Sequence, residues 1–588
     1  MRQTIATLLF TATVLGFVFG QAHAQQEILV SQRSGIESEL TIAINPSNYD
    51  ELIVSSMRTF LPIQVHRSND GAETWTQTPF NLGVADPVLS YGDNGTASLV
   101  FLDFVSILRL NFATSGDNGA TWTNQVLQLD SMAADRAWIR RDNSPASPHY
   151  GNTYVGYFHP QQGPDIHIFT VDPQGNIGEN QSVLTGSYPY VQNCMLDVKK
   201  DGEIVLCFLS QHNDDSFNIM SVFSTDGAET FSPEVQVAPI SMYQSNGNPV
   251  RDVVGFAPGA ASRLQNSLQM AIDKSNGPFS GRAYLTWTDF VAGNPDEGMN
   301  VYLSYSDDLG VTWSTPSIVN DDNVASSHQY FSAISVNPTG QLAVSWYDRR
   351  SDPVDDALTD FYLSMSSDGG STFSPSVKLN SATADHTHIT QGQQTFGVGE
   401  YTSMATSESH AFAVWADGRT NDGNMAIYLS KVPFPTIEVV EPASFDVVHG
   451  VYASGGLPEL ANSDGMDLSA SRSQFDTQSR ITVSVDAISP TENPSTFSFT
   501  LESSVFARQS VTQHLEMFNF DSSSWETVDS RNASRLADST VTHEATGDLS
   551  RFVEPGTMEI ETRVRYVSST ARQRFSANID QMIWEIGN

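Results

Sequence analysis

The chain has 588 residues, 39% of them hydrophobic, and carries 67 acidic against 29 basic side chains for a formal net charge of −38. That is enough apolar material for several folded domains, and so anionic a surface repels nucleic acid and anionic membranes, which are excluded as partners. Only five of the basic residues are lysine, and the charge reads first as a solubility or high-salt surface.

Met1 to Ala24 has the form of a secretory signal. Arg2 supplies the positive end, Ile5 to Phe19 the apolar stretch, and Ala22-His23-Ala24 the small-x-small pattern of a cleavage site after Ala24. The apolar stretch is short for a bilayer span. The mature chain is therefore expected to be secreted, extracellular or periplasmic, monomeric and without membrane insertion. Gln26–Ser31 follows as a strand with no partner nearby in sequence.

One eight-residue phrase then recurs five times, starting at Ser68, Ser115, Ser224, Ser306 and Ser366. Each copy ends a β-branched or aromatic run, turns on an aspartate (Asp70, Asp117, Asp226, Asp308, Asp368) and glycine, and resumes with Thr and a large aromatic. The carboxylate can accept from turn amides, glycine supplies φ > 0, and the aromatic packs between strands. This predicts a locked β-hairpin. Val171-Asp172-Pro173-Gln174-Gly175 is a degenerate copy filling the long gap between the second and third boxes. Glu400–Glu408, His410–Asp417 and Met425–Val432 form a further strand triplet without a box.

The count is seven units of four strands, with six as the alternative. Short strands at this period favour a ring of sheets over a linear stack. Gln26–Ser31 is expected to complete the last sheet and close the ring, removing an exposed edge.

The two cysteines, Cys194 and Cys207, sit in strand-like runs joined by Lys199-Lys200-Asp201-Gly202. If Val198 pairs with Glu203, the sulfurs fall opposite each other and a disulfide is expected in an exported chain, whereas a tighter Asp201-Gly202 turn would shift the register and offset them.

At the rim opposite the box turns, second strands end in Trp287-Thr288-Asp289, Trp346-Tyr347-Asp348-Arg349-Arg350 and Trp415-Ala416-Asp417-Gly418-Arg419. Loops entering inner strands add Asp135-Arg136-Ala137-Trp138, Arg263, His328-Gln329-Tyr330 and Glu400-Tyr401. In one reading Asp348 and Asp417 pair with Arg350 and Arg419 to tie neighbouring units. In the other the arginines face a channel and hold a carboxylate or sulfate. His149, His159 and His167 cluster in the third unit, but strand alternation scatters them over both faces. Acidic loops (Asp352–Asp360, Asn294–Glu297, Asn421–Asn424) offer oxygen ligands for calcium without an EF-hand pattern; no metal site or cofactor is assigned.

Pro433-Phe434-Pro435 marks a boundary. The domains are read as a signal over 1–24, the ring over 25–435, and a half-buried antiparallel β-sandwich over 436–588, where Met558, Ile560, Val564 and Tyr566 alternate with charged residues.

The repeated phrase resembles the Asp-box of bacterial sialidase-like propellers over roughly residues 26 to 435. The C-terminal part is similar to jelly-roll-like accessory modules of secreted carbohydrate-active proteins. The resemblance implies an all-β, seven-bladed Asp-box propeller followed by a β-sandwich, acting on or binding extracellular glycan or polysaccharide. Sialidases clamp a substrate carboxylate with three arginines and use a Tyr–Glu pair and an Asp. On this chain that puts Asp135, Glu400 and Tyr401 in catalysis, with Arg136, Arg263, Asp348, Arg350, Asp417 and Arg419 binding substrate. The family's Arg-Ile-Pro phrase is absent; Met57-Arg58-Thr59-Phe60-Leu61-Pro62 departs from it. A non-catalytic glycan- or protein-binding protein and a polysaccharide lyase using a His–Tyr pair remain alternatives.

Overall fold

A carboxylate that must satisfy several turn donors at once shapes each recurring corner. In the first box Asp70 accepts from Ser68 Oγ at 2.7 Å and from the Thr74 amide at 2.9 Å, and also takes the Thr74 hydroxyl. The same Asp-to-Thr amide bond recurs at Asp117, Asp226, Asp308 and Asp368, at 2.8 to 2.9 Å. Inside the corner, two consecutive residues are left-handed. They are Gly71-Ala72, Asn118-Gly119, Gly227-Ala228, Leu309-Gly310 and Gly369-Gly370, with φ between 50° and 83°. Every pair contains a glycine, which takes this conformation at no steric cost. That is why the glycine shifts by one place between boxes without losing the turn. The indoles of Trp75, Trp122 and Trp313 cap the corner by donating to the carbonyl of the second left-handed residue, at 3.0 to 3.1 Å. Asp172 of the degenerate copy makes the matching bond to Asn176 N at 2.8 Å.

The structure, a computed structural model, describes residues 26–31, 35–58, 61–104, 108–127, 134–159, 164–241, 267–290, 298–322, 324, 327–354, 358–386, 399, 401–420, 422–475, 479–494, 496–535, 537–570 and 573–587. Met1 to Ala24 lies outside them. The chain separates into two compact units, Met1–Phe434 and Pro435–Asn588.

Among the described residues the first unit holds seven antiparallel sheets. Their inner strands are Ser38–Asn45, Ala85–Tyr91, Asp135–Arg141, Tyr190–Val198, Gln269–Ile272, Gln329–Val336 and Ser403–Thr406. Each inner strand packs on the next, and the seventh packs on the first, so the sheets form a closed ring around a channel: a β-propeller. The seventh sheet takes its outer strand from the N-terminal side, where Gln26–Leu29 pairs with Ala426–Pro433 in the register Gln26↔Lys431 to Leu29↔Tyr428. The expected closure is present. Apolar side chains fill the spaces between sheets, with Trp346, Trp415 and Phe208 fully enclosed.

Among the described residues the second unit contains two antiparallel sheets. One is centred on the long strands Thr496–Ala507 and Phe575–Gly587, the other on Arg480–Ile488 and Glu559–Ser568. Their inward residues make one core that includes Val483, Phe499, Val564 and Trp584. The Trp584 indole donates to Thr562 Oγ1 at 3.0 Å, linking one sheet to the other.

The disulfide expectation is overturned. Lys199 N donates to Glu203 O and Val198 pairs with Ile204, so the turn itself sets the register that puts Met195 opposite Cys207; the bulge between Gln192 and Met195, with Asn193 left-handed at φ 60°, comes only after that. Cys194 then faces the third sheet, where its sulfur fills the space beside Gly156. Cys207 faces the fifth sheet, with Sγ 3.9 Å from Met270 Sδ. Both thiols are free and buried, and burial raises their pKa. Denatured protein is therefore expected to titrate two free thiols per chain, and reducing agent to leave the melting temperature unchanged. One thiol or none, measured without reductant, would contradict this arrangement.

Candidate functional site

Inner strands begin, and second strands end, at the rim away from the box turns. The Trp-x-Asp-x-Arg phrases there form self-contained braces. In the sixth sheet Trp346 Nε1 donates to Asp348 Oδ2 at 2.8 Å, and Arg350 donates to the same carboxylate from Nε and Nη2 at 2.9 and 2.7 Å. The Arg350 guanidinium lies over the Tyr362 ring at 4.2 Å and reaches Asp321, in the segment after the fifth sheet, at 2.8 Å. In the seventh sheet Trp415, Asp417 and Arg419 repeat the pattern. Arg419 also pairs with Glu27 at 2.6 Å, lies over Tyr428 at 4.0 Å and donates to Ser381 from the preceding sheet's linker. These arginines are consumed in joining neighbouring sheets. The assignment of Asp348, Arg350, Asp417 and Arg419 to substrate binding is corrected accordingly: Asp348 and Asp417 are buried, and both guanidinia are turned between sheets.

A different group converges on the channel. Five inner strands carry the same bulge near their start, with Glu39, Asp86, Arg136, Asn193 and Phe331 left-handed at φ 46° to 60°. None is glycine, so each conformation is held against an intrinsic cost by its surroundings. At Arg136 the backbone amide donates to Asp86 Oδ2 at 3.0 Å. The Arg136 guanidinium stands 5.3 Å from the centroid of the Tyr401 ring, and Trp138 meets the same ring edge-on at 6.4 Å. Arg136 is 2% exposed and Tyr401 3%. Asp135 is half-buried beside them and accepts from Gln192 Nε2 at 3.4 Å; the Tyr190 hydroxyl in turn donates to Gln192. Thus Arg136 and Tyr401, distant in sequence, pack together, with Asp135 next to Arg136 in the chain. Arg263 and Glu400 lie outside the described residues.

The histidines behave otherwise than expected. His159 is two residues after Tyr157 on one strand, and His167 is directly across from Tyr157, so all three share a face. The imidazoles stack at 4.6 Å, and His167 Nε2 lies 3.3 Å from Asp165, whose carboxyl stays below the ordinary range. Burial raises the Asp165 pKa, but bonds from His167 and Ser182 outweigh it. Only His149 stands apart, against Gly202 and Gly227. Among the described residues no group of three His, Cys, Asp or Glu is placed to hold a metal ion. In the acidic loops Asp360 is taken by Lys378 at 2.7 Å and Asp422 by Asn424 and Thr420, while Asn294–Glu297 and Asn421 lie outside the described residues.

Asp289 is the odd member of the Trp-x-Asp set. It accepts from the Ser241 and Phe290 amides at 3.0 and 2.8 Å, and burial pushes its pKa up to about 6. Sequence reading missed the bulges, which carry no residue signature, and the charged side chains at the far end of the channel, Arg140, Asp197 and Lys274. The scarcity of lysine was the available signal for the latter.

No family model matches this chain, and no curated protein matches it. Among solved structures it is similar to a Hadza microbial sialidase (14% identity, TM-score 0.37, covering 66% of this chain and 74% of that one). It is also similar to an α-L-arabinanase from Penicillium chrysogenum (11%, 0.36, covering 55% and 94%) and to the intramolecular trans-sialidase from Ruminococcus gnavus (12%, 0.36, covering 54% and 90%).

Two outcomes follow from this rim. Arg350→Ala leaves the fully buried Asp348 carboxylate without its cation, and is expected to lower unfolding free energy by about 3–5 kcal/mol in urea titrations. A change within error would remove the brace. Asp289, with its folded pKa above the unfolded value, carries no penalty below about pH 3.9 and the full penalty above about pH 6. Asp289→Asn should therefore gain up to about 3 kcal/mol on the wild type as pH rises through that window. A pH-independent difference between the two melting curves would contradict it.

Proposed function

We propose that this protein is a secreted, seven-bladed Asp-box propeller with a C-terminal β-sandwich, and that it recognises extracellular glycan at the mouth formed by Asp135, Arg136, Trp138 and Tyr401. The observation that carries the reading is the meeting of Arg136 with the Tyr401 ring, beside a half-buried carboxylate, from strands on opposite sides of the ring. The half-buried Asp135 carboxylate can accept sugar hydroxyls, and the buried Arg136, Trp138 and Tyr401 side chains hold the strand that presents it. With Arg350 and Arg419 committed to braces, a clamp of several arginines is not supported, and recognition is favoured over sialidase-type cleavage. Hydrolysis is the second reading, favoured by the Tyr401–Arg136 pair with Asp135 as acid or base.

The test is a glycan array with the purified mature chain, followed by product analysis on every bound glycan. Binding without product, weakened at least about tenfold (1.4 kcal/mol) by Arg136→Ala, is the expected result. Product release that depends on Tyr401 and Asp135 would replace recognition by hydrolysis. Binding indifferent to both Arg136→Ala and Tyr401→Phe would remove the site.

A further inference from the structure

The other end of the channel, on the box side, holds a cavity of about 460 Å³ lined by the ends of six of the seven inner strands. One wall is apolar, from Ile44, Ile334 and Met404. The charges there run against the rest of the molecule. Three of the chain's five lysines, Lys199, Lys200 and Lys274, line this space together with Arg140. Lys199 is neutralised locally, with Nζ 2.5 Å from Glu203 and 3.7 Å from Asp201. Lys200 instead donates to the neutral acceptors Ser275 O and Asn276 Oδ1.

Arg140 and Lys274 meet a single carboxylate. Asp197 Oδ1 is 2.8 Å from Lys274 Nζ and 3.8 Å from Arg140 Nε, and Asp197 Oδ2 accepts the Ile272 amide at 3.0 Å. The other lining acid, Asp142, accepts from Ser147 Oγ and the Ser144 amide. Three cations, Arg140, Lys200 and Lys274, thus face two carboxylates, Asp142 and Asp197, leaving an excess of positive charge in a low-dielectric channel, where potential is focused. Donor capacity remains as well. Arg140 donates from Nη1 to Ile139 O at 3.0 Å with its guanidinium 5.1 Å from the Trp138 ring, which leaves Nη2 over. Lys274 uses one of three protons on Asp197 and keeps 41% of its side chain exposed.

We propose that the box-side end of the channel is a binding site for a small organic carboxylate, its charge held by Arg140 and Lys274 and its apolar body lying along Ile44, Ile334 and Met404. The volume suits a ligand of modest size. This site lies at the opposite end of the channel from Arg136 and Tyr401, with Trp138 between them, touching Arg140 on one side and Tyr401 on the other.

The test is calorimetric titration of the whole mature chain at low salt with three probes: octanoate, glucuronate and inorganic phosphate. The expected result is saturable binding of octanoate or glucuronate, weakened by added salt, with phosphate binding more weakly. Octanoate as the tighter of the two assigns the site to fatty carboxylates, and glucuronate to sugar acids. Lys274→Met should weaken binding about tenfold (1.4 kcal/mol). Asp197→Asn, which removes the competing carboxylate and keeps an acceptor for the Ile272 amide, should strengthen it several-fold. That second variant keeps the test decisive if Lys274→Met does not fold. The proposal is overturned if neither carboxylate binds at millimolar concentration, if phosphate binds as tightly as they do, or if Asp197→Asn weakens binding.

Discussion

The ring depends on a corner that needs nothing from outside itself. An aspartate takes the hydroxyl of the serine two residues before it and the amide and hydroxyl of the threonine four residues after it. This holds two left-handed residues that would otherwise be the costliest part of the hairpin. Because the lock is local, it sets the angle between third and outer strands with bonds that lie within the phrase itself. The large aromatic that ends the phrase then lies against the neighbouring sheet, as Trp313 does by donating to Ser221 of the fourth sheet. Local closure and inter-sheet packing are thereby joined in one phrase.

The opposite rim solves a different problem. Sheets that fan out from a channel separate at their outer parts, and the gaps need polar ties where loops leave the core. Arg350 and Arg419 supply these ties. Each bonds a carboxylate on its own strand and a group from the adjacent segment while covering a tyrosine ring. Planarity matters here, because a guanidinium can stack on a ring and donate in its plane at once, which an ammonium cannot do. A motif that looks like a ligand clamp in one dimension is a fastening in three.

The repeats differ most in the side chains they set along the channel. The five inner-strand bulges are geometrically equivalent, yet their left-handed residues are Glu39, Asp86, Arg136, Asn193 and Phe331. The scaffold offers the same position repeatedly and the side chain varies, so chemistry can change at one sheet without altering the ring. The two ends of the channel also differ in kind: an aromatic and arginine group at one, a lysine-rich cavity with an apolar wall at the other.

The all-β architecture and the strand that completes the last sheet were legible in the chain, because Asp–Gly corners and strand alternation are local properties with a fixed period. The braces were legible as one of two readings, since a phrase repeated in consecutive sheets suits a fastening. Among the candidate site residues, nothing in the spacing of Arg136 and Tyr401 says that the Arg136 guanidinium lies over the Tyr401 ring. The cysteines show the limit most clearly. The turn between them pairs Val198 with Ile204 instead of Glu203, which shifts the register by one place and sends Cys194 and Cys207 to opposite faces of the sheet. Side-chain direction in a strand alternates with each residue, so a one-place difference in the turn reverses which side chains face each other. The register of that turn and convergence across the channel are therefore decided by the folded structure, and the Asp–Gly corners and their period by the amino-acid sequence itself.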